Sequence, residues 1–270
     1  MKSQSRFILS LLAFGYAFLY IPLISVVVYS FNDSRLATVW GGFSTRWYGE
    51  LFRNQQIIDA LTLSLKIAVT SATLATIFGT MSGLVLARFG RFRGRTFFSG
   101  MISSPMVVPE VITGLSLLLL FVTLQQLTGW PGQRGFSTIT IAHTTFSMAY
   151  VAVIVQSRLM AMDESLEEAA MDLGGHPLRV VFDITIPLIA PAMIAGWLLS
   201  FTLSLDDLVI ASFVSGPGST TLPMLIFSKV KLGVSPDINA LASVIIAAVT
   251  LGVAIAWFIM RRNAKLSLDR

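Results

Sequence analysis

Apolar residues in this chain come in long runs, not in the narrow alternating or helical stripes of a water-soluble fold. Six stretches reach the roughly 20 mostly apolar residues that a membrane-spanning helix needs. They run at about 7–31, 61–87, 97–126, 136–160, 184–214 and 238–260. Helices are the only spanning elements this pattern allows, because open sheet edges cannot sit in hydrocarbon. A barrel would show alternating segments of about ten residues, and none occurs. The pattern therefore predicts an all-α polytopic membrane protein with about six transmembrane helices. No internal repeat or low-complexity segment divides the chain, so a single membrane domain over 1–270 is expected.

The first run follows Lys2 and Arg6, as a secretory leader would. It is longer than the 7–15 apolar residues of a leader and no A-x-A-type cleavage site follows it, so it reads as an uncleaved first span. Composition agrees, with 54% hydrophobic and only 12% charged residues. A soluble domain carries about 25% charged residues, and a core of this length could not bury so much apolar side chain. Lipid must solvate it. The absence of cysteine removes disulfides, thiol catalysis and thiolate metal sites, and His143 and His176 form no metal-binding motif. The net charge of +5 has no basic stripe with interleaved aromatics, so nucleic acid is not an expected partner.

Charge between the runs sets orientation. Lys2 and Arg6 precede the first span, Arg88, Arg91, Arg93 and Arg95 crowd the second connection, and Arg261, Arg262 and Lys265 follow the last. The positive-inside rule places both termini and the second and fourth connections inside the cell. The first connection, about 32–60, is then external. Its Trp47 and Tyr48 read as interface anchors, on a short amphipathic helix lying along the membrane surface.

The fourth connection, about 163–183, departs from an ordinary membrane loop. Ser165 followed by Glu168 forms a capping-box pattern, Gly174 or Gly175 suits a helix C′ position, and Pro177 can open the next helix. Between them lies a predicted helix of about two turns. Leu166, Ala169, Ala170 and Leu173 form its apolar stripe, and Glu167, Glu168 and Asp172 fill much of the rest. So short a helix is marginal alone. Its stripe either packs on the membrane domain itself or docks into a groove on a separate cytoplasmic protein.

Ionisable residues inside spans are functional candidates by default. Glu110 follows Pro105 and Pro109 in the third span, where a locally broken helix is expected. Asp206 and Asp207 lie deep in the fifth. A carboxylate there can cap a half-helix, pair with Lys66, or attract a passing cation, with aromatic groups adding cation–π contacts. Only one of two adjacent helical residues, about 100° apart, can face a central pathway. His143 reads as a hydrogen-bonded packing residue rather than a proton relay.

Two sets of residues carry a resemblance. Glu168-Ala169-Ala170-x-x-x-Gly174, then nine residues, then Ile184-Thr185-Ile186-Pro187, resembles the EAA signature of permease subunits in ATP-binding-cassette importers. Ile186 stands where that pattern usually has Leu. The segments Ser204 to Ile210, Phe213, Ser215 to Gly218, Thr221 to Pro223 and Lys231 to Ala240 resemble the permeases of spermidine/putrescine importers. Trp47-Tyr48 and Pro105…Pro109-Glu110…Gly114 fit as well. The resemblance implies a type I importer permease fold in which 163–183 is the coupling segment. It makes Glu167, Glu168, Ala169, Ala170, Leu173 and Gly174 the contacts to an ATPase. Asp206, Asp207, Glu110, Trp47 and Tyr48 become candidates for the substrate pathway. Implied partners are a second homologous permease, two ATP-binding subunits and a periplasmic polyamine-binding protein, around a chain embedded in membrane lipid. No G-x-x-x-x-G-K-[ST] occurs, so ATP and Mg are expected on the separate ATPase, with no cofactor and no catalytic residue on this chain. An ion-coupled secondary transporter, or an importer permease for another small solute, is the alternative. An intramembrane protease is disfavoured by the missing G-x-S-x-G elbow and the lack of a visible His–carboxylate pairing.

Overall fold

The computed structural model describes residues 2–35, 39–233 and 236–268, with side chains from Ile8 to Phe258 except Ala256. Val234 and Ser235, part of the resemblance above, lie outside the described residues, as do the side chains of Lys2, Arg6, Arg261, Arg262 and Lys265. The helices are α1 (Lys2–Tyr29), α2 (Arg46–Arg53), α3 (Gln55–Arg88), α4 (Arg95–Val107), α5 (Glu110–Thr128) and α6 (Phe136–Met160). They continue as α7 (Ser165–Asp172), α8 (Pro177–Val180), a π-helical turn (Val181–Thr185), α9 (Ile186–Asp206), α10 (Val209–Val214), α11 (Leu222–Leu232) and α12 (Pro236–Leu268). Six helical stretches among the described residues are long and apolar enough to cross a membrane. Their outward faces carry Phe14, Phe18, Leu119, Ile194 and Val253, all exposed as lipid contacts require.

Two of the expected spans are interrupted. The stretch 97–126 divides into α4 and α5 at Val108-Pro109. Pro109 has no N–H to donate and forces its predecessor into extended backbone, as Val108 at φ −76°, ψ 130° shows. The broken helix expected near Glu110 is present, and Glu110 opens α5. The stretch 184–214 divides into α9 and α10 at Asp207-Leu208, with Asp207 extended at ψ 123°.

The chain forms two compact units, Met1–Ile58 with Ile226–Arg270, and Asp59–Leu225. In the first, α1 and α2 pack against α12. The connection before α2 is organised by Asn32, which is buried. Its side chain donates to the Val39 carbonyl and accepts from the Gly41 amide, both at 2.7 Å. In the second unit α6 is the most enclosed helix, packed by α4, α5, α9 and α10. Glycines let the neighbours approach closely, the usual means of helix association in lipid. A Cβ on Gly79 of α3 would fall 2.6 Å from the Val151 Cβ of α6, and Gly196 of α9 approaches the same valine.

Candidate functional site: a coupling segment and a mid-span polar network

The fourth connection folds into the predicted short helix, α7, but its N-terminus differs from the sequence expectation. Ser165 is the first helical residue, and no side-chain capping box forms. Asp163, two residues earlier, accepts the Ser165 amide at 3.0 Å instead. That backbone hydrogen bond, with a second from the Ser165 hydroxyl, holds the Asp163 carboxyl below the usual aspartate value. The C-terminus is as expected: Gly174 takes φ +87°, which favours glycine. The Gly175 amide reaches the Ala170 carbonyl and the Gly174 amide reaches the Met171 carbonyl, a Schellman closure. Pro177 then opens α8.

No residue of α7 is buried. Leu166 is 48% and Leu173 91% exposed, so the apolar stripe does not pack on the membrane domain. Glu168, Ala169 and Asp172 are exposed with it, and Ala170 is partly covered. Glu167 and Met171 lie on the other side of the helix, towards the protein body. The Glu167 carboxylate accepts Arg88 Nε at 2.9 Å and the Thr185 hydroxyl at 2.7 Å. Of the residues expected to contact an ATPase, Glu167 therefore turns inward, and the others face out or close the helix. Neither Arg88 nor Thr185 announces this role in the sequence, since each lies far along the chain from Glu167.

The second cluster surrounds the break between α9 and α10. Asp207 accepts the Ile210 amide at 3.2 Å and the Ala211 amide at 2.7 Å, capping the half-helix. Its Oδ2 also lies 3.1 Å from His143 Nε2 on α6. His143 Nδ1 lies 2.7 Å from Ser204 Oγ, which in turn meets Ser71 Oγ of α3 at 3.2 Å. His143 is 3% exposed and so is a hydrogen-bonded packing residue. A His–carboxylate pair therefore does exist, contrary to the sequence reading, because the chain brings together residues 64 positions apart. Ser204 is buried and its hydroxyl is already engaged, so the trio ties helices together and presents no nucleophile.

Asp206, by contrast, is exposed at the end of α9, as is Glu110 at the start of α5. Gly114, one turn beyond Glu110, lies against Ile210 and Phe213, so α5 and α10 meet directly. Lys66 is exposed and is not the partner of either aspartate. Trp47 is buried, not an interface anchor: its indole donates to the Asn32 carbonyl at 2.6 Å because α2 docks on the preceding connection. It lines a polar recess of about 460 Å³ with Arg35, Glu50, Lys229 and Asp237. Tyr48 meets the Ser30 hydroxyl at 2.7 Å. Among the described residues no group of His, Asp and Glu side chains could hold a metal.

The chain thus combines an exposed short helix, α7, with third and fifth spans that are interrupted. Residues 77–266 match the model of the binding-protein-dependent transport system inner membrane component, and the chain belongs to that family. It is 60% identical to the putrescine transport system permease protein PotI of Escherichia coli K12, over 98% of this chain and 93% of that protein. It is 44% identical to the spermidine/putrescine transport system permease protein PotC of the same strain, over 93% and 92% of the two chains. The fold matches a bacterial ABC transporter that imports alginate, with a TM-score of 0.72, 17% identity and coverage of 97% and 96%. A chain of the MetNI methionine ABC transporter gives a TM-score of 0.59 at 14% identity, over 74% and 92%. The chain is thus a transport component of the inner membrane and not an enzyme, and the secondary-transporter alternative falls away.

Proposed function

We propose that this chain is one of two permease subunits of an ATP-driven polyamine importer, with putrescine as its cargo. The observation that carries the reading is the 60% identity to a putrescine permease over nearly the whole chain. The physical features accord with it. The outward stripe of α7 offers an apolar face for a cleft in a separate ATPase subunit, which carries the ATP and Mg. A second permease completes the pathway, and a periplasmic binding protein delivers the cargo.

Within the pathway, Asp206 and Glu110 are the exposed carboxylates, one at each helix break. Interrupted helices are where transport proteins place their polar groups. A dication gains from two carboxylates without a covalent step, and modest attraction lets it leave again. Asp207 serves this site indirectly, since its oxygens are committed to His143 and the α10 amides. Trp47 and Tyr48 act in packing, not in contact with cargo.

The test is ATP-dependent uptake of labelled putrescine by vesicles holding the complete assembly, with spermidine, sulfate and amino acids as competitors. Uptake blocked by polyamines alone is expected. Asp206→Asn should raise the concentration for half-maximal uptake about tenfold, the scale of one charge-assisted contact. Unchanged kinetics in this variant would remove Asp206 from the pathway.

A further inference from the structure

One residue of the coupling segment has both carboxylate oxygens engaged by two different spans. Glu167 Oε2 accepts Arg88 Nε at 2.9 Å, and Arg88 is the last residue of α3. Glu167 Oε1 accepts the Thr185 hydroxyl at 2.7 Å, and Thr185 closes the π turn that leads into α9. The side chains of Arg88 and Glu167 are only 13% and 14% exposed, so water screens the pair little. Arg88 also reaches Glu164 at 2.9 Å, but that carboxylate is 63% exposed and contributes little.

The other attachments of α7 are soft. Nothing in the helix is buried, and its C-terminal exit runs through Gly174 and Gly175. The chain beyond is no ordinary helix either. The Ile186 amide reaches back five residues to Val181, and Pro187 follows without an N–H. Such π turns gather at functional sites, since an extra residue in the turn is a place where a helix can change register. Beside it lies an apolar cavity of about 370 Å³, bordered by Leu84, Phe89, Met171, Leu178 and Val181, which leaves α8 room to move.

We propose that the Arg88–Glu167–Thr185 cluster is the strut that carries movement of the coupling helix into α3 and α9, with Glu167 as its positioning residue. Glu167 acts by gripping the spans, not by touching the ATPase. Force on α7 would otherwise dissipate in the glycine exit. Through the strut it arrives at the end of α3 and at the π turn, and so at the helix that ends in Asp206. The inference rests on the importer reading.

The experiment uses the whole assembly in vesicles and reads ATP hydrolysed per putrescine imported. Glu167→Gln removes the charge that Arg88 grips, and Thr185→Val removes the other contact. Each is expected to raise the ratio about tenfold or more, the scale of one lost charge-assisted hydrogen bond, with stimulated ATPase retained. Thr185→Ser should restore the wild-type ratio, as should the exchange Arg88→Glu with Glu167→Arg. Glu164→Gln should change it less than about twofold. A wild-type ratio in Glu167→Gln overturns the strut. If that variant fails to assemble, an unchanged ratio in Thr185→Val overturns it instead. Absence of ATP-driven uptake in the wild-type assembly would refute the importer reading, a separate failure.

Discussion

At the scale of residues, charge inside the apolar bundle is settled by partners. Asp207 sits deep in a hydrocarbon-embedded unit, yet it is held by two amides and an imidazole. Removing one member of such a buried set leaves the others unpaired, which is more costly than never having built it. His143→Leu should therefore destabilise the subunit by about 3 kcal/mol, measured as a lower thermal transition in detergent. An unchanged transition would mean that the Ser71–Ser204–His143–Asp207 chain holds nothing together. On the proposed docking, the alanines of α7 work by smallness. Ala170→Trp should leave the protein inserted and abolish transport, because a bulky ring cannot enter a cleft shaped for a close approach to backbone. Normal uptake with full ATPase coupling would contradict docking through this face.

At the scale of elements, broken and tightly packed helices matter more than continuous ones. Pro109 breaks the third span and so puts Glu110 at a helix start, where the macrodipole favours an acidic residue. The break before α10 frees backbone amides that Asp207 then caps. Between helices, spacing is set by glycine. Gly114→Val would drive its side chain into Phe213, which lies 2.7 Å from an added Cβ, and into the α10 backbone at Ile210. Overpacking of this kind costs about 1–3 kcal/mol. The expected result is a lower yield of folded subunit and a lower thermal transition, with Gly100→Val as a neutral comparison, since nothing lies within 4 Å of its added Cβ.

At the scale of the molecule, lipid replaces much of the core. Large side chains such as Phe18 and Val107 remain exposed in the protein itself. Transport then needs little chemistry from this chain. On the proposed reading it needs a helix to receive force, a stiff link to pass it on, and weakly attractive carboxylates at the breaks. The full-length identity to polyamine permeases and the shared fold with importers of unrelated cargo fit this division. The scaffold is common to importers of different cargo.

The sequence by itself determined the helical class, the six spans, the short helix of the fourth connection and its glycine exit. These follow from local physics: apolar run length measures a bilayer, and glycine and proline impose their backbone preferences wherever they stand. It also marked Glu110, Asp206 and Asp207 as groups needing an explanation. Only the tertiary structure decided which explanation each received. Glu167 turned inward to Arg88 and Thr185, and Asp207 to His143, because those partners are 79, 18 and 64 residues away along the chain. The capping box gave way to Asp163 because a one-residue shift in helix start costs almost nothing locally. Trp47 went to packing because Asn32 folds the preceding connection under it. Pairings of this kind depend on how spans approach one another in space, and no periodicity along the chain records that.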